Sequence, residues 1–304
     1  MSKITVIGSF VMDCVATMDR FPEAGETIIG NSIDYFMGGK GVNQCVSISR
    51  LGGDVEMIGC VGKDAYGRLF LDLLHDEGIP SEHVFLTDVP TAVAQIQINE
   101  TGQNRICVIP SANYEFSMKH FEAIKPIIDH TDIVLFQLEQ KIDIIQEMIR
   151  YAKSKGKTVI LNPAPAAPLD MDIYCMVDYL TPNETEIEIL TGIEDLELAA
   201  KELIHRGIKC VITTIGEKGA QITTKDNSVV VDGYSVKVVD TVAAGDSFNG
   251  ALAVALSEGK TVKEAVKFAN AMGALTVQGR GAIPSLKYRQ DVEAFLMEHE
   301  EENR

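Results

Sequence analysis

The chain has 304 residues, 46% of them hydrophobic, and a formal net charge of -17 from 27 Lys and Arg against 44 Asp and Glu. That length can bury a full core, as one large α/β domain or as a domain with a small appendage. The acidic balance argues against a nucleic-acid or membrane-surface partner, so any anionic substrate has to be met locally by glycine loops, helix N-termini and a few placed cations or a metal.

Read from the N-terminus, residues 1–7 enter a strand at once and show neither a signal-peptide apolar core nor a cleavage site, so a cytoplasmic protein is expected. Strand-like runs recur at 4–7, 55–60, 92–98, 106–109, 133–136, 158–161, 179–181, 210–214, 219–224 and 228–231. Residues 65–77, 116–128, 142–155, 184–190, 196–205 and 262–277 space their apolar side chains near 3.6, with acidic starts, as helices do. Strand and helix in alternation mean crossover units and a mainly parallel sheet covered on both faces, here expected as a single domain over 1–304.

Two stretches break the alternation. Residues 15–36, and the pair 92–98 and 106–109 around Glu100-Thr101-Gly102-Gln103-Asn104, read as short antiparallel strands and a hairpin. They are either decorating hairpins or a small β lid spanning 15–36 and 92–109. The acidic tail after Phe295 is expected to fray. Six cysteines (Cys14, Cys45, Cys60, Cys107, Cys175 and Cys210) are scattered without a Cys-x-x-Cys pair, which favours reduced thiols over disulfides or zinc.

The chemistry concentrates in Asp240-Thr241-Val242-Ala243-Ala244-Gly245-Asp246-Ser247-Phe248-Asn249-Gly250. A β-branched run ends at Val238 and Val239, small residues follow, and Phe248, Leu252, Val254 and Leu256 open a buried helix. Free N–H groups and the positive end of the helix dipole suit a phosphate there, and Asp246 beside it could take a proton from an attacking hydroxyl. An ordinary strand-to-helix turn with an acid in its first turn fits the same residues. Met37-Gly38-Gly39-Lys40-Gly41-Val42-Asn43 has the same logic near the other end. Asp13, placed directly after the first strand, is a candidate to accept hydroxyl hydrogen bonds; Gly39, Lys40, Asn43 and Glu139 offer close backbone approach, donors and a second acceptor. There is no Gly-x-x-x-x-Gly-Lys-Ser/Thr, no zinc-spaced histidine pair, and no dinucleotide fingerprint in Gly8-Ser9-Phe10.

The two glycine stretches together resemble the ribokinase-like (pfkB) sugar kinases, and Gln137-Leu138-Glu139, Asn162-Pro163-Ala164-Pro165-Ala166, Thr181-Pro182-Asn183-Glu184-Thr185-Glu186 and Thr214-Ile215-Gly216-Glu217-Lys218-Gly219 follow in that family's order. The resemblance covers nearly the whole chain. It implies a three-layer α/β sandwich with a mainly parallel sheet and a β lid, and an ATP-dependent kinase acting on the primary hydroxyl of a pentose, ribose first. Asp246 becomes the base, with the N–H groups of Ala243, Ala244, Gly245 and Asp246 around the transferring phosphoryl. Asp13, Gly39, Lys40, Asn43 and Glu139 become the sugar site.

By the same resemblance Asn183, Thr214, Gly216, Lys218, Gly219, Gly245 and Asn270 lie along ATP, and Glu186 reaches Mg²⁺ through water. Asn183 and Glu186 also satisfy the pattern of a helix N-cap without any ligand. Asp240, Val242, Thr276, Gly279, Gly281 and Ser285 correspond to a K⁺ site, although a Gly-Pro turn is sufficient to explain Gly281 and Pro284. The lid implies a homodimer. One position departs from the ribose pattern: Val11 stands where ribokinases carry Asn, and relatives acting on 2-deoxyribose are also apolar there. The alternatives are therefore a 2-deoxyribose kinase, a nucleoside or ketohexose kinase of this fold, or a catalytically silent sugar sensor.

Overall fold

The computed structural model describes residues 2–302. Its strands in chain order are β1 (Ile4–Ile7), β2 (Val11–Thr17), β3 (Ser32–Gly38), β4 (Val55–Gly62), β5 (Val84–Thr87), β6 (Val93–Ile98), β7 (Asn104–Ile109), β8 (Ile133–Phe136), β9 (Thr158–Leu161), β10 (Tyr179–Leu180), β11 (Cys210–Thr214), β12 (Gly219–Thr224) and β13 (Ser228–Asp232). Nine of them form one sheet in the order β13-β12-β11-β10-β9-β8-β1-β4-β5. Every neighbouring pair is parallel except β11 with β12 and β12 with β13.

The near-continuous apolar runs of the central strands follow from burial on both sides, because successive side chains point to opposite faces. Ile4, Val6, Met57, Leu135, Ile160 and Ile212 pack into one core, with helices α1 (Lys40–Arg50), α2 (Ala65–Asp76), α8 (Ala244–Ser257), α9 (Val262–Thr276) and α10 (Arg289–Glu302). Ile7, Ile58, Val134, Phe136, Val159 and Val211 pack into the other, with α3 (Met118–Asp129), α4 (Ile142–Ser154), α5 (Met171–Tyr174), α6 (Glu184–Thr191) and α7 (Leu196–His205). The result is the expected three-layer sandwich. Strand order runs one way from β1 to β4 and the other way from β8 through β11, so a crevice opens outside the strand ends between β1 and β8.

The lid is a second sheet in the order β3-β2-β6-β7. Its outer pairs are antiparallel and its central pair, β2 with β6, is parallel. It begins at Val11, four residues before the expected 15–36 segment, and β6 and β7 take up Val93–Ile98 and Asn104–Ile109. Asp13 therefore lies within the first lid strand rather than at the end of the first sheet strand. Strand β2 takes its bounds from pairing with β3, which starts at Val11↔Gly38, and with β6 from Met12↔Val93, so no residue of β2 by itself marks its start.

Helices α1, α5 and α10 and strand β5 are not among the expected elements. Along α1 the polar Asn43, Gln44 and Ser47 interrupt the apolar period, and all three are buried toward α8. Helix α10 carries the acidic tail as helix to Glu302 instead of frayed chain, while Asn303 and Arg304 lie outside the described residues. The run ending at Val238 and Val239 is not a strand: both side chains are exposed, and the backbone N–H groups of Val239 and Asp240 turn to the Val277 carbonyl at 2.8 and 3.2 Å.

Candidate active site

The crevice is furnished by the two helix N-termini that the glycine stretches build. Gly39 caps α1 at φ 102°, and a Cβ there would lie 2.7 Å from the Val11 nitrogen, so only glycine lets the helix start against the β1–β2 turn. Ala243 caps α8 at φ 61°, a left-handed conformation that costs a non-glycine residue about 1–3 kcal/mol and is characteristic of functional sites. The next turn is open: a Cβ on Gly245 would meet no atom within 4 Å. Among the described residues the N–H groups of Ala243, Gly245 and Asp246 reach no protein acceptor, whereas that of Ala244 donates to the Thr241 carbonyl at 3.3 Å. Three of the four expected donors are thus free for an anion, and the fourth is spent inside the turn.

Asp246 is buried at the start of α8. Its Oδ2 accepts from Asn43 Nδ2 at 2.8 Å and its Oδ1 from Gln44 Nε2 at 3.0 Å, so both oxygens are held from α1. Glu139, following β8, accepts at Oε2 from the Lys40 backbone N–H at 3.0 Å and from the Ser9 hydroxyl, which itself accepts from the Gly41 N–H at 3.2 Å. Asp13 approaches from the lid. Burial, then the Glu139 carboxylate, then that of Asp246 push its carboxyl up to about 7. Burial pulls Lys40 down, but Asp246, Glu139 and Glu186 outweigh it and leave the ammonium above the ordinary lysine value. Burial also raises Glu186, against the Asn183 N–H and Lys40, which favour its charged form.

Two cavities meet at the α8 N-terminus. The smaller, about 200 Å³, is lined by Lys40, Asn162, Glu186, Gly245 and Asp246 among others. The larger, about 480 Å³, shares Asn183, Thr214, Thr241, Ala244 and Gly245 with it, and runs to an apolar end formed by Val236, Val238, Phe248, Ala274 and Val277. A flat aromatic group fits that end while its polar substituents reach the helix turn. Gly216, Gly219 and Asn270 line the larger cavity; Asn270 also donates to the Val231 and Asp232 carbonyls at 3.0 and 3.1 Å and so holds the end of β13. Lys218 sits exposed on the turn between β11 and β12 and lines neither cavity.

Asn183 and Glu186 form a capping box on α6: Asn183 Oδ1 accepts from the Glu186 N–H at 2.8 Å, and Glu186 Oε2 from the Asn183 N–H at 2.9 Å. Glu186 Oε1 remains for a cation or its waters. Asp240 joins two loops, accepting from the Val242 N–H at 3.1 Å and the Gly281 N–H at 2.9 Å. Gly279 lies against Ser285, and the carbonyls of Val242, Gly279 and Gly281 accept no hydrogen bond among the described residues. That oxygen-only set suits a hard monovalent ion. Val11 is 4% exposed and packs against Ala92 and Ala94 on the lid face that also carries Asp13.

The motif reading left six polar residues without a role: Ser9, Gln44, Gln137, Asn162, Thr181 and Asn249. Gln137, Asn162, Thr181 and Asn249 lie inside stretches that drew attention, and Gln44 follows Asn43, but a neutral amide has no charge or ligand signature to single it out.

A profile described as pfkB family carbohydrate kinase matches residues 1–289. The chain is 37% identical over 299 residues to the ribokinase of Haemophilus influenzae, covering 96% of this chain and 98% of that protein. It is 34% identical over 302 residues to the deoxyribokinase of Salmonella typhimurium, at 96% and 98% coverage. The solved structure of Arabidopsis thaliana ribokinase complexed with ribose and ATP superposes with a TM-score of 0.91 at 32% identity, covering 97% of this chain and 98% of that one.

Proposed function

The chain belongs to the pfkB family of carbohydrate kinases and is a sugar kinase; from that premise we propose that it is one kinase domain transferring the γ-phosphoryl of MgATP to the primary hydroxyl of D-ribose, giving ribose 5-phosphate. The observation that carries this reading is the clamped Asp246 carboxylate, one residue from the free Gly245 N–H, where the two cavities meet. The sugar lies between the lid and Asp246, gripped by Asp13, Asn43 and Glu139, which line neither cavity, and by Lys40, which with Asp246 lines the smaller one. ATP lies in the larger one, its adenine at the apolar end.

In this mechanism the acceptor hydroxyl faces Asp246, which accepts its proton as the oxygen attacks the γ-phosphorus and ADP leaves. The N–H groups of Ala243, Gly245 and Asp246 and the Lys40 ammonium stabilise charge on the transferring group. Glu186 would hold Mg²⁺ through water, and the ion, brought with the nucleotide, would neutralise phosphate charge. Asp240, Val242, Thr276, Gly279, Gly281 and Ser285 would hold K⁺, which would steady the Thr241–Ala244 turn. The lid closes over the sugar and keeps water away from the phosphoryl. A second copy of the chain covers the lid's exposed Ile106 and Val108, which are 57% and 52% exposed.

A second reading, 2-deoxyribose as the preferred substrate, is favoured by Val11: its neighbours in the lid cluster are Ala92, Ala94 and Ile96, so an apolar patch stands where ribokinases offer an amide. A buried sugar hydroxyl without a partner costs about 1–3 kcal/mol. The test is ADP release with MgATP over ribose, 2-deoxyribose, fructose, adenosine and uridine, each in K⁺ and in Na⁺, with Asp246→Asn beside the natural chain. Ribose-led, K⁺-stimulated turnover lost in Asp246→Asn is expected. Turnover led by 2-deoxyribose makes Val11 the specificity residue, and silence on every sugar refutes the kinase assignment to pentoses.

A further inference from the structure

Asp246 belongs to a closed circuit of hydrogen bonds that ties four elements together. Gln44 Nε2, on α1, donates to Asp246 Oδ1 at 3.0 Å and to Asn162 Oδ1 at 3.1 Å. Asn162 Nδ2, just past β9, donates to the Thr181 carbonyl at 3.0 Å. The Thr181 hydroxyl donates to Asn249 Oδ1 at 2.6 Å, and Asn249 Nδ2 donates to the Gly245 carbonyl at 2.8 Å, one residue before Asp246. Gln44 Oε1 in turn accepts from Gln137 Nε2 at 2.7 Å.

The direction of every amide in this circuit is forced. A backbone carbonyl only accepts, so Thr181 fixes which end of Asn162 faces it, and Asn162 Oδ1 is left facing Gln44. A carboxylate also only accepts. Gln44 must therefore turn its two N–H groups to Asp246 and Asn162, and its oxygen to Gln137. Gln44 is fully buried and Gln137 is 1% exposed, so turning either amide over would place like atoms together with no water to repair the contact.

Docking α1 on α8 would not by itself require a carboxylate as the partner. Asn43 holds Oδ2 while Gln44 holds Oδ1, and two donors from one helix fix the carboxylate plane and hence the direction of the lone pairs that remain. We propose that Gln44 is a positioning residue for phosphoryl transfer: it aims the free lone pair of Asp246 at the acceptor hydroxyl, and Gln137 keeps the Gln44 amide from turning over. This rests on Asp246 being the base. The charged groups facing Asp246 are Lys40 from α1, Asp13 from the lid and Glu186 from α6, none of which the Gln44 amide touches.

The test is steady-state kinetics of Gln44→Met, Gln137→Met and Asp246→Asn, with thermal melts. Methionine keeps the volume of glutamine without its donor. Misaimed general-base contacts cost up to about a hundredfold, so Gln44→Met is expected to lose between about tenfold and a hundredfold in kcat. Its KM values for sugar and ATP should stay within about twofold. Gln137→Met, which touches neither cavity, should show the same pattern with a smaller loss, and it decides the matter if Gln44→Met does not fold. Unchanged kcat, or a loss confined to KM or to the melting temperature, overturns the positioning role while a dead Asp246→Asn keeps the base. An active Asp246→Asn removes the base and the positioning role together.

Discussion

Replacing Asp13 by Asn should stabilise the protein at alkaline pH while weakening its grip on sugar. Among the described residues no donor reaches the Asp13 carboxylate, and burial with Glu139 and Asp246 pushes its carboxyl from 3.8 up to about 7. Between those values the folded state binds a proton that the unfolded chain has already lost, so stability falls as pH rises through the window. At 1.36 kcal/mol per unit, the full cost above pH 7 is at most about 4 kcal/mol, and about 2.5 kcal/mol of it develops between pH 5 and pH 8. Asn keeps the shape and carries no charge. The gap in melting temperature between Asp13→Asn and the natural chain should therefore widen from pH 5 to pH 8 by about 4 °C for a chain of this length. Differential scanning calorimetry at four pH values measures it, and titration calorimetry with ribose should show the variant binding more weakly. In the natural chain, kcat/KM for the sugar should rise with pH to a plateau above about 7, where the free enzyme's Asp13 is ionised. A melting gap that does not change with pH refutes the half-buried, unpaired carboxylate.

Gly245→Val should lose about a hundredfold or more of turnover while melting within a few degrees of the natural chain, because its side chain enters open space that the transferring phosphoryl needs; full activity would show that the phosphoryl passes elsewhere. Val11→Asn should raise the ratio of kcat/KM for ribose over 2-deoxyribose by about tenfold, as a hydrogen bond to the extra hydroxyl is restored; an unchanged ratio removes this position from substrate choice. Val108→Lys places a charge on the exposed lid face and should shift the mass by light scattering from dimer to monomer without loss of secondary structure; a monomeric natural chain would end the dimer proposal.

Much of the fold is legible in the chain itself. Burial on both faces makes a parallel strand a short apolar run, and 4–7, 133–136, 158–161 and 210–214 are β1, β8, β9 and β11 with no residue displaced. The glycine stretches are equally legible, since Gly39 and Gly245 stand where backbone must pass close to backbone or stay open to a ligand. The bounds of the lid are not, because β2 is specified by pairing with β3 and β6 and a strand edge has no local mark.

Chemistry divides along a similar line. Carboxylates and glycines at helix starts announce an anion site with a base, so Asp246, Asp13, Glu139 and Lys40 could be named from sequence and meet in one crevice. The amides that orient them could not. Gln44, Gln137, Asn162 and Asn249 carry no charge, so their significance lies wholly in which oxygen each faces. Only the packing of α1 against α8, with the ends of β8, β9 and β10 beneath, sets those directions. Sequence determined which groups could react; tertiary structure decided where their lone pairs point, because that depends on contacts between residues some 200 positions apart.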